Sequence, residues 1–154
     1  MKQIILILAI SILCLSLLAQ TGLLELNYGQ NLNEIKELLE QRGFVQSPTD
    51  STVFNGEMYT VNTELRLYFE TDKTNLLGWL IAIEVGDLDE YEVETVFIED
   101  VCMLHGDDYE YDPDFNEAYW RLDDYHFINS GFDSEYDYYL IFYGDNRHQE
   151  ISPW

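Results

Sequence analysis

The architecture follows from residues 65–85, which read LRLYFETDKTNLLGWLIAIEV. Apolar side chains occupy alternate positions on both sides of a polar centre, first from Leu65 to Phe69 and again from Leu77 to Val85. A period of two places alternate side chains on one face of a β-strand, so both segments are predicted strands. The polar residues 72–75 form the turn, and strands joined by so short a connection pair antiparallel.

The segment before this hairpin has the pattern of an amphipathic helix. Asn31 is the predicted N-cap, with Glu34 as its capping-box partner. Gly43 ends the helix, and Phe44 is placed to fold back on it. The apolar residues between these signals recur at helical spacing: Leu32, Ile35, Leu38 and Leu39.

The same order recurs after the hairpin. Asp89 and Glu92 form a second capping signal, and Gly106 ends the second helix. Its predicted apolar face carries Val93, Val96, Phe97, Val101 and Leu104. Further strand-like runs lie at residues 23–26, 52–54, 118–122, 126–132 and 138–143.

This element order predicts an α+β fold. Two helices are expected on one face of a continuous antiparallel sheet, built from two α-β-β-β units. Buried positions of both helices and of the strands should form one core, for which the sequence predicts Leu39, Leu67, Ile83, Phe97, Val101 and Ile141.

The N-terminus has the order of a secretory signal peptide. Lys2 supplies a positive charge, residues 4–18 are apolar, and Ala19 is a small residue at the cleavage position. The run is shorter than the ~20 residues of a membrane span, which disfavours a retained anchor. A lipoprotein signal is disfavoured because Leu13, and not a small residue, precedes Cys14. Residues 1–19 are therefore the predicted signal peptide and residues 20–154 a single domain, located in the periplasm or outside the cell.

The charge of the chain is strongly negative. Without Lys2, six basic residues stand against 30 acidic ones, a net charge of −24. Residues 87–154 hold twenty acidic and two basic residues, a net charge of −18. Such a field repels nucleic acid and anionic lipid and attracts basic proteins, although solubility alone also explains an acidic surface.

Small exported bacterial proteins with paired helix-plus-sheet units show a similar element order. The positions that carry the resemblance are Gly29 before the first helix, residues 42–44 (Arg-Gly-Phe) at its end, and residues 104–106 (Leu-His-Gly) at the end of the second. The chain resembles the family of the secreted β-lactamase inhibitor protein and a small outer-membrane assembly lipoprotein of related topology. The resemblance implies a binding or assembly role and no chemistry. The chain departs from both families in its cysteines, because cleavage would leave only Cys102 and no lipidation site.

Residues 107–117, DDYEYDPDFNE, form an acidic segment. Alternating carboxylates can converge on calcium, which takes several oxygen ligands. The EF-hand pattern is not met, because its glycine position holds Pro113 or Glu117, depending on the starting aspartate. A solvated loop is therefore favoured, with a calcium-dependent envelope module as the alternative.

Catalytic signals are weak. Cys102 and His105 share a helix face, but the neighbours of Cys102 are apolar and favour an inert buried thiol. The sequence contains no nucleophile elbow, phosphate-binding glycine loop or zinc-protease motif, and no cofactor is predicted. A hydrolase that uses a carboxylate pair is the remaining enzymatic alternative.

Tyrosines mark the predicted functional face. Eight of the twelve lie between Tyr109 and Tyr143, among carboxylates, and tyrosine is a frequent anchor of protein interfaces. Packing within the sheet explains part of this set. The sequence therefore predicts a non-enzymatic binding, inhibitor or envelope-assembly protein with a cationic protein partner. Its predicted contact residues are Tyr109, Tyr111, Asp112, Asp114, Tyr136 and Asp137.

Overall fold

The computed structural model describes residues 21–86, 88–133, 135–148 and 151. The predicted signal peptide, residues 1–19, lies outside the described residues. The described part of the chain contains two α-helices and one eight-stranded antiparallel sheet, which confirms the predicted α+β class with an antiparallel sheet.

The two helices begin and end at the predicted signals. Helix α1 spans Leu32–Gln41, and the Asn31 side chain accepts hydrogen bonds from the backbone N–H groups of Asn33 and Glu34. Helix α2 spans Glu90–His105, and Asp89 Oδ1 accepts from the Glu92 N–H at 3.1 Å. These caps satisfy N–H groups that have no partner within the helix.

The two halves of the chain are joined in one sheet, because the last strand of the first half pairs with the last strand of the second. Strand bounds are β1 Val45–Gln46, β2 Val53–Met58, β3 Val61–Phe69, β4 Leu76–Glu84, β5 Glu110–Asp112, β6 Glu117–Arg121, β7 His126–Asp133 and β8 Tyr138–Asp145. Their order in the sheet is β1-β2-β3-β4-β8-β7-β6-β5. The central pair is therefore β4 with β8, in a register that places Ile81 opposite Ile141.

The register divides the strand side chains into two faces. The core face is buried and carries Phe54, Leu65, Leu67, Trp79, Ile81, Ile83, Ala118, Trp120, Ile128, Tyr139, Ile141 and Tyr143. These residues form one cluster with Ile35, Leu39, Val93, Phe97 and Val101 of the helices. The opposite face, the outer face, carries Glu64, Arg66, Tyr68, Leu80, Ala82, Glu110, Asp112, Glu117, Tyr119, Arg121, Phe127, Asn129, Leu140 and Phe142. All six residues predicted for the core are buried.

The first predicted strand, residues 23–26, is wrong. Leu23–Glu25 form a short 3-10 turn, in which Leu24 has φ +64°. The Leu23 N–H donates to the Tyr143 hydroxyl at 3.1 Å, and a Cβ on Gly22 would lie 2.4 Å from Cζ2 of Trp79. This segment therefore crosses a pair of buried aromatic rings, and long-range packing overrides its strand-like pattern.

The acidic segment contains a strand that the sequence analysis did not predict. Glu110–Asp112 form β5, which pairs with β6, so part of the expected loop is an edge of the sheet. With the two-residue β1, four strands follow each helix in place of the three expected. Acidic residues have low strand propensity, and the pairing with β6 outweighs it here.

The apolar stripe of α2 is narrower than predicted. Val93, Phe97 and Val101 are buried at intervals of four residues, whereas Val96 and Leu104 are exposed. The fully buried residues of the helix therefore form one i, i+4 row, and the partly buried Ile98 and Cys102 pack against the core beside it.

These exposures give a direct test of the core. Leu39→Ala and Phe97→Ala should each lower the free energy of unfolding by about 2–5 kcal/mol, because each removes a fully buried side chain. The matched changes Val96→Ala and Leu104→Ala, at side chains 40% and 47% exposed, should stay within about 0.5 kcal/mol in urea denaturation. Equal losses in both pairs would contradict the assignment of the faces.

Candidate functional site

A groove opens where β6 and β7 are joined. Its volume is about 420 Å³, and we call it the tyrosine groove. Its lining residues come from the segment before β5, from β6, from the turn that follows β6 and from the start of β7: Asp108, Tyr109, Glu110, Tyr119, Arg121, Asp123, Tyr125, His126, Phe127 and Asn146.

Three tyrosines give the groove its accessible aromatic surface. Tyr109, Tyr119 and Tyr125 are 37%, 39% and 49% exposed. The Tyr109 ring stacks on Trp120 at 4.8 Å, and Trp120 donates its indole N–H to the Gly106 carbonyl at 3.2 Å. Because Trp120 is itself buried, this contact fixes Tyr109 on the core while leaving one side of its ring accessible.

A second groove adjoins the first at the edge of the sheet. This edge groove, of about 490 Å³, is lined by Glu110, Tyr111, Asp112, Pro113, Glu117, Tyr119 and Asn129. Glu110 and Tyr119 line both grooves, and they are directly opposite each other on β5 and β6. The two grooves therefore form one continuous surface, which we call the tyrosine–carboxylate surface.

Electrostatic repulsion is built into this surface. Asp112 lies directly opposite Glu117 on the neighbouring strand, with both side chains on the outer face. Like charges in such a cross-strand pair destabilise the sheet. The basic side chain of the tyrosine groove, Arg121, is already 3.3 Å from an Asp124 carboxylate oxygen. The surface therefore has an excess of negative charge.

The floor of the tyrosine groove is a network around His126. Its Nδ1 lies 2.7 Å from Asp123 Oδ2, and its Nε2 lies 3.6 Å from Asp145 Oδ2. The Tyr28 ring lies tilted against the imidazole, with ring centroids 4.1 Å apart and planes at 36°, and the Arg147 guanidinium donates to the Asp145 carboxylate. Both ring nitrogens thus face carboxylates, an arrangement that holds the ring in place.

The two carboxylates of this network have lowered pKa values. Burial alone would raise the pKa of Asp145, but hydrogen bonds from Arg147 outweigh it and lower the pKa. Burial likewise opposes the shift at Asp123, where hydrogen bonds from the His126 ring and from the Tyr125 and His126 backbone N–H groups lower the pKa. Both side chains therefore remain ionised to unusually low pH.

The structure brings half of the predicted contact residues together. Tyr109 lines the tyrosine groove, and Tyr111 and Asp112 line the edge groove. The backbone N–H of Asp114 donates to Asp112 Oδ1 at 2.9 Å, which places Asp114 beside this surface in the turn after β5.

Tyr136 and Asp137 lie elsewhere at the same end of the sheet. They belong to the turn between β7 and β8, whereas Asp114 belongs to the turn between β5 and β6. Two inter-strand spacings of about 4.8 Å separate the two hairpins, roughly 10 Å. Neither residue lines the two grooves.

Several lining residues were missed by sequence reasoning. Tyr119 had a usable signal, because Ala118 and Trp120 point into the core and the strand period then turns Tyr119 outward. Asp123 and Tyr125 had none, because they reach the groove through the turn after β6, and sequence alone does not define its conformation.

Cys102 and His105, the pair considered for nucleophilic chemistry, have the contacts of structural residues. His105 Nε2 faces the Tyr143 hydroxyl at 3.4 Å, and burial lowers the pKa of the imidazole. Burial also raises the pKa of the Cys102 thiol, and a nearby Asp107 adds to the shift. A thiol with a raised pKa is a poorer nucleophile at neutral pH.

Residues 21–86, 88–133, 135–148 and 151 contain no group of three or more His, Cys, Asp or Glu side chains that could hold a metal ion. No helix in the same part of the chain is long and apolar enough to cross a bilayer.

Comparison with protein-family models, curated proteins and solved structures finds no match. The resemblance expected from the element order stays an expectation.

The network around His126 predicts a pH dependence of stability. Asp145 and Asp123 have folded-state pKa values below the ordinary value of about 3.9, so their stabilisation is present above about pH 4 and is lost as the pH falls through the folded values. Asp145→Asn should lower the free energy of unfolding at pH 7 by roughly 1–3 kcal/mol and flatten its decline below pH 4.

The matched control is Asp124→Asn, because the Asp124 side chain is 85% exposed in its ion pair with Arg121. This change should leave the free energy of unfolding nearly constant, since exposed ion pairs contribute little. Urea denaturation at a series of pH values measures both variants. An unchanged acid slope in Asp145→Asn would contradict the prediction.

Proposed function

We propose that this protein is an exported, non-enzymatic binding protein. Its tyrosine–carboxylate surface takes a cationic segment of a partner protein or peptide, and inhibition or assembly follows because the partner's segment is covered. The observation that carries the proposal is the repulsive pair Asp112 and Glu117, which lies beside accessible tyrosine rings.

A cationic side chain between Asp112 and Glu117 would remove their repulsion. Two cross-strand carboxylates destabilise the free protein, and an ammonium or guanidinium group placed between them offsets their one repulsive contact with two attractive ones. Relief of this repulsion therefore adds to the free energy of binding. Solubility alone does not require two carboxylates at directly opposed positions.

The tyrosines supply the contacts that hold a bound segment. Tyr109 and Tyr119 present ring surface beside carboxylates, and tyrosine combines a large contact area with a small loss of side-chain entropy. A lysine or arginine over such a ring also gains a cation–π contact. Carboxylates therefore attract the partner and rings retain it.

The proposal assigns the two helices to the core face of the sheet and treats the chain as two related helix-plus-strand units. The Phe97 ring lies 6.1 Å from that of Tyr139, and Ile35 and Leu39 belong to the same buried cluster as the core-face strands. In this arrangement the β5 edge and the outer side of β5 and β6 are left for a partner.

Export is part of the proposal and rests on the signal-like order of residues 1–19. The mature protein, isolated from its native envelope or medium, should begin near Gln20 when its mass is measured. An intact Met1 or a lipidated Cys14 would contradict export by this route.

The charge pair gives the sharpest test, because stability and binding should change in opposite directions. Asp112→Asn should raise the free energy of unfolding by about 0.2–1 kcal/mol, since it removes the repulsion from Glu117. Asparagine keeps the oxygen that accepts from the Asp114 N–H. The same change should slow association with a short lysine-containing synthetic peptide at low salt.

The binding measurement compares two double variants of equal net charge. Asp112→Asn with Glu117→Gln changes the tyrosine–carboxylate surface, whereas Glu37→Gln with Glu99→Gln changes exposed positions on the two helices. Association rates are measured from about 0.01 M to 0.15 M salt, across which the screening length falls from about 30 Å to about 8 Å. Equal slowing in both double variants would mean that net charge alone attracts the peptide, and it would overturn the proposed site.

A further inference from the structure

The sheet ends at β5, and all three residues of this strand are accessible to solvent. Strand β5 is the last in the order of the sheet, and Glu110, Tyr111 and Asp112 are each exposed. One side of its backbone pairs with β6, and within the described part of the chain no strand lies on the other side. We call this side the free edge of β5. Such an edge presents N–H and C=O groups with which a further extended segment can pair.

Contacts beside β5 hold its backbone in an extended conformation. In the turn that follows, the Tyr111 hydroxyl donates to Asn116 Oδ1, and the Asp114 N–H donates to Asp112 Oδ1 at 2.9 Å. On the other side, the Tyr109 ring is stacked against the core. A segment that pairs with the free edge therefore does not have to order it first, and less conformational entropy is lost on binding.

The two faces of β5 carry different chemistry. Glu110 and Asp112 point to the outer face, and both line the edge groove of about 490 Å³. Tyr111 lies opposite the buried Ala118, so its ring is on the core-face side, where it is 47% exposed. Alternate side chains of a segment along the free edge would therefore meet carboxylates on one face and an accessible aromatic ring on the other.

The charges of β5 exclude a second copy of this chain from the free edge. Two copies of β5 paired antiparallel about Tyr111 would place Glu110 of each copy opposite Asp112 of the other, and like charges in opposed positions destabilise a sheet. Charged side chains of this kind protect natural sheet edges from pairing with one another. A segment with lysine or arginine at the same positions would instead form two attractive pairs.

The opposite edge of the sheet has no such preference. It is formed by β1, whose two residues, Val45 and Gln46, carry no charge. Backbone pairing alone does not distinguish the two edges, whereas complementary charge does. The carboxylates therefore assign a basic segment to β5, and β1 serves as an internal control.

We propose that the free edge of β5 takes an extended basic segment of a partner protein as a ninth strand of the sheet. Lysines or arginines of this segment lie beside Glu110 and Asp112, and an apolar side chain between them contacts Tyr111. Pairing with three residues covers about 10 Å of the segment, at ~3.3 Å per residue. The inference rests on the proposed function, because a basic side chain beside Asp112 is the one that relieves the repulsion from Glu117.

The first experiment separates strand pairing from attraction between charges. A fluorescently labelled five-residue peptide alternates lysine with valine. One version carries backbone N-methyl groups on its two valines, and another carries them on two of its three lysines, so all three peptides have equal charge. Successive residues of a strand direct their N–H groups to opposite edges. Only one of the two methylated versions therefore presents its methyl groups to β5.

That version should bind at least about tenfold more weakly than the parent peptide in anisotropy titration, because it loses hydrogen bonds to the free edge. The other version should bind within about twofold of the parent, since its methyl groups face solvent. Equal affinities of the two methylated peptides, whether both strong or both weak, would overturn the inference.

Hydrogen exchange locates the pairing on the protein. The N–H groups of β5 that face the free edge should exchange at least about tenfold more slowly when the parent peptide is bound, and those of β1 should not change. Unchanged exchange in β5 at saturating peptide, or equal slowing in β1, would overturn the inference.

Glu110→Lys tests the selection by charge. It should weaken the parent peptide at least about tenfold, because it places a like charge beside the peptide's lysines. Glu37→Lys changes the net charge equally at an exposed position of α1 and is the control. Glu110→Gln keeps the shape of the side chain, guards against a loss of folding, and should weaken the peptide by about threefold.

Three results would overturn the basic occupant. The first is an equal loss in Glu37→Lys, or no loss in the folded Glu110→Gln variant. The second is equal affinity of the wild-type protein for a peptide that alternates glutamate with valine. The third is a dimer of the free protein, seen by sedimentation, that the parent peptide dissociates, because a second copy would then occupy the free edge.

The outcomes separate this inference from the proposed function. If Asp112→Asn with Glu117→Gln weakens the parent peptide while the two methylated peptides bind equally, the proposed function stands and strand addition fails. If that double variant binds the parent peptide as tightly as the wild-type protein does, the proposed function fails, and the inference that rests on it fails as well.

Discussion

Trp79 and Tyr143 stack across the middle of the sheet, with ring centroids 4.4 Å apart and planes 11° from parallel. They are opposite each other in the β4–β8 pair, so their contact joins the two halves of the chain. The Tyr143 hydroxyl accepts from the Leu23 N–H and faces His105 at the end of α2. Loss of this stacked pair would therefore loosen the sheet centre, the N-terminal segment and the second helix together.

The two faces of the sheet have different roles. The core face carries an apolar cluster drawn from six of the eight strands, β2, β3, β4, β6, β7 and β8, and no disulfide supports it within the described residues. Because this cluster holds the sheet together, the exposed edge at β5 can carry side chains that would weaken a fold. Opposed carboxylates at β5 and β6 and half-exposed rings are tolerated there because the stability comes from the other side.

Local signals in the sequence predicted the parts of the fold that depend on neighbouring residues. Asn31 and Asp89 cap their helices as expected, and the alternation around Leu65 and Ile81 is that of buried strands. Alternation fails at a bulge between Tyr68 and Phe69, beyond which Leu76 and not Leu77 is buried. The pairing of β4 with β8 has no local signal, because their partners are about sixty residues apart. The grooves depend on that pairing, so sequence reasoning found Tyr109 and Asp112 but not the floor formed by His126.

The position of that floor connects the fold to the proposed binding. His126 begins β7 and Asp145 ends β8, so their contact ties these two neighbouring strands together at the tyrosine groove. Arg147 covers the Tyr125 ring at 4.6 Å while it holds the Asp145 carboxylate. The network therefore fixes the floor of the tyrosine groove before any partner binds. A surface fixed in this way loses little conformational entropy when a segment binds. This matters most for a short cationic peptide, because the peptide itself loses much conformational entropy on binding.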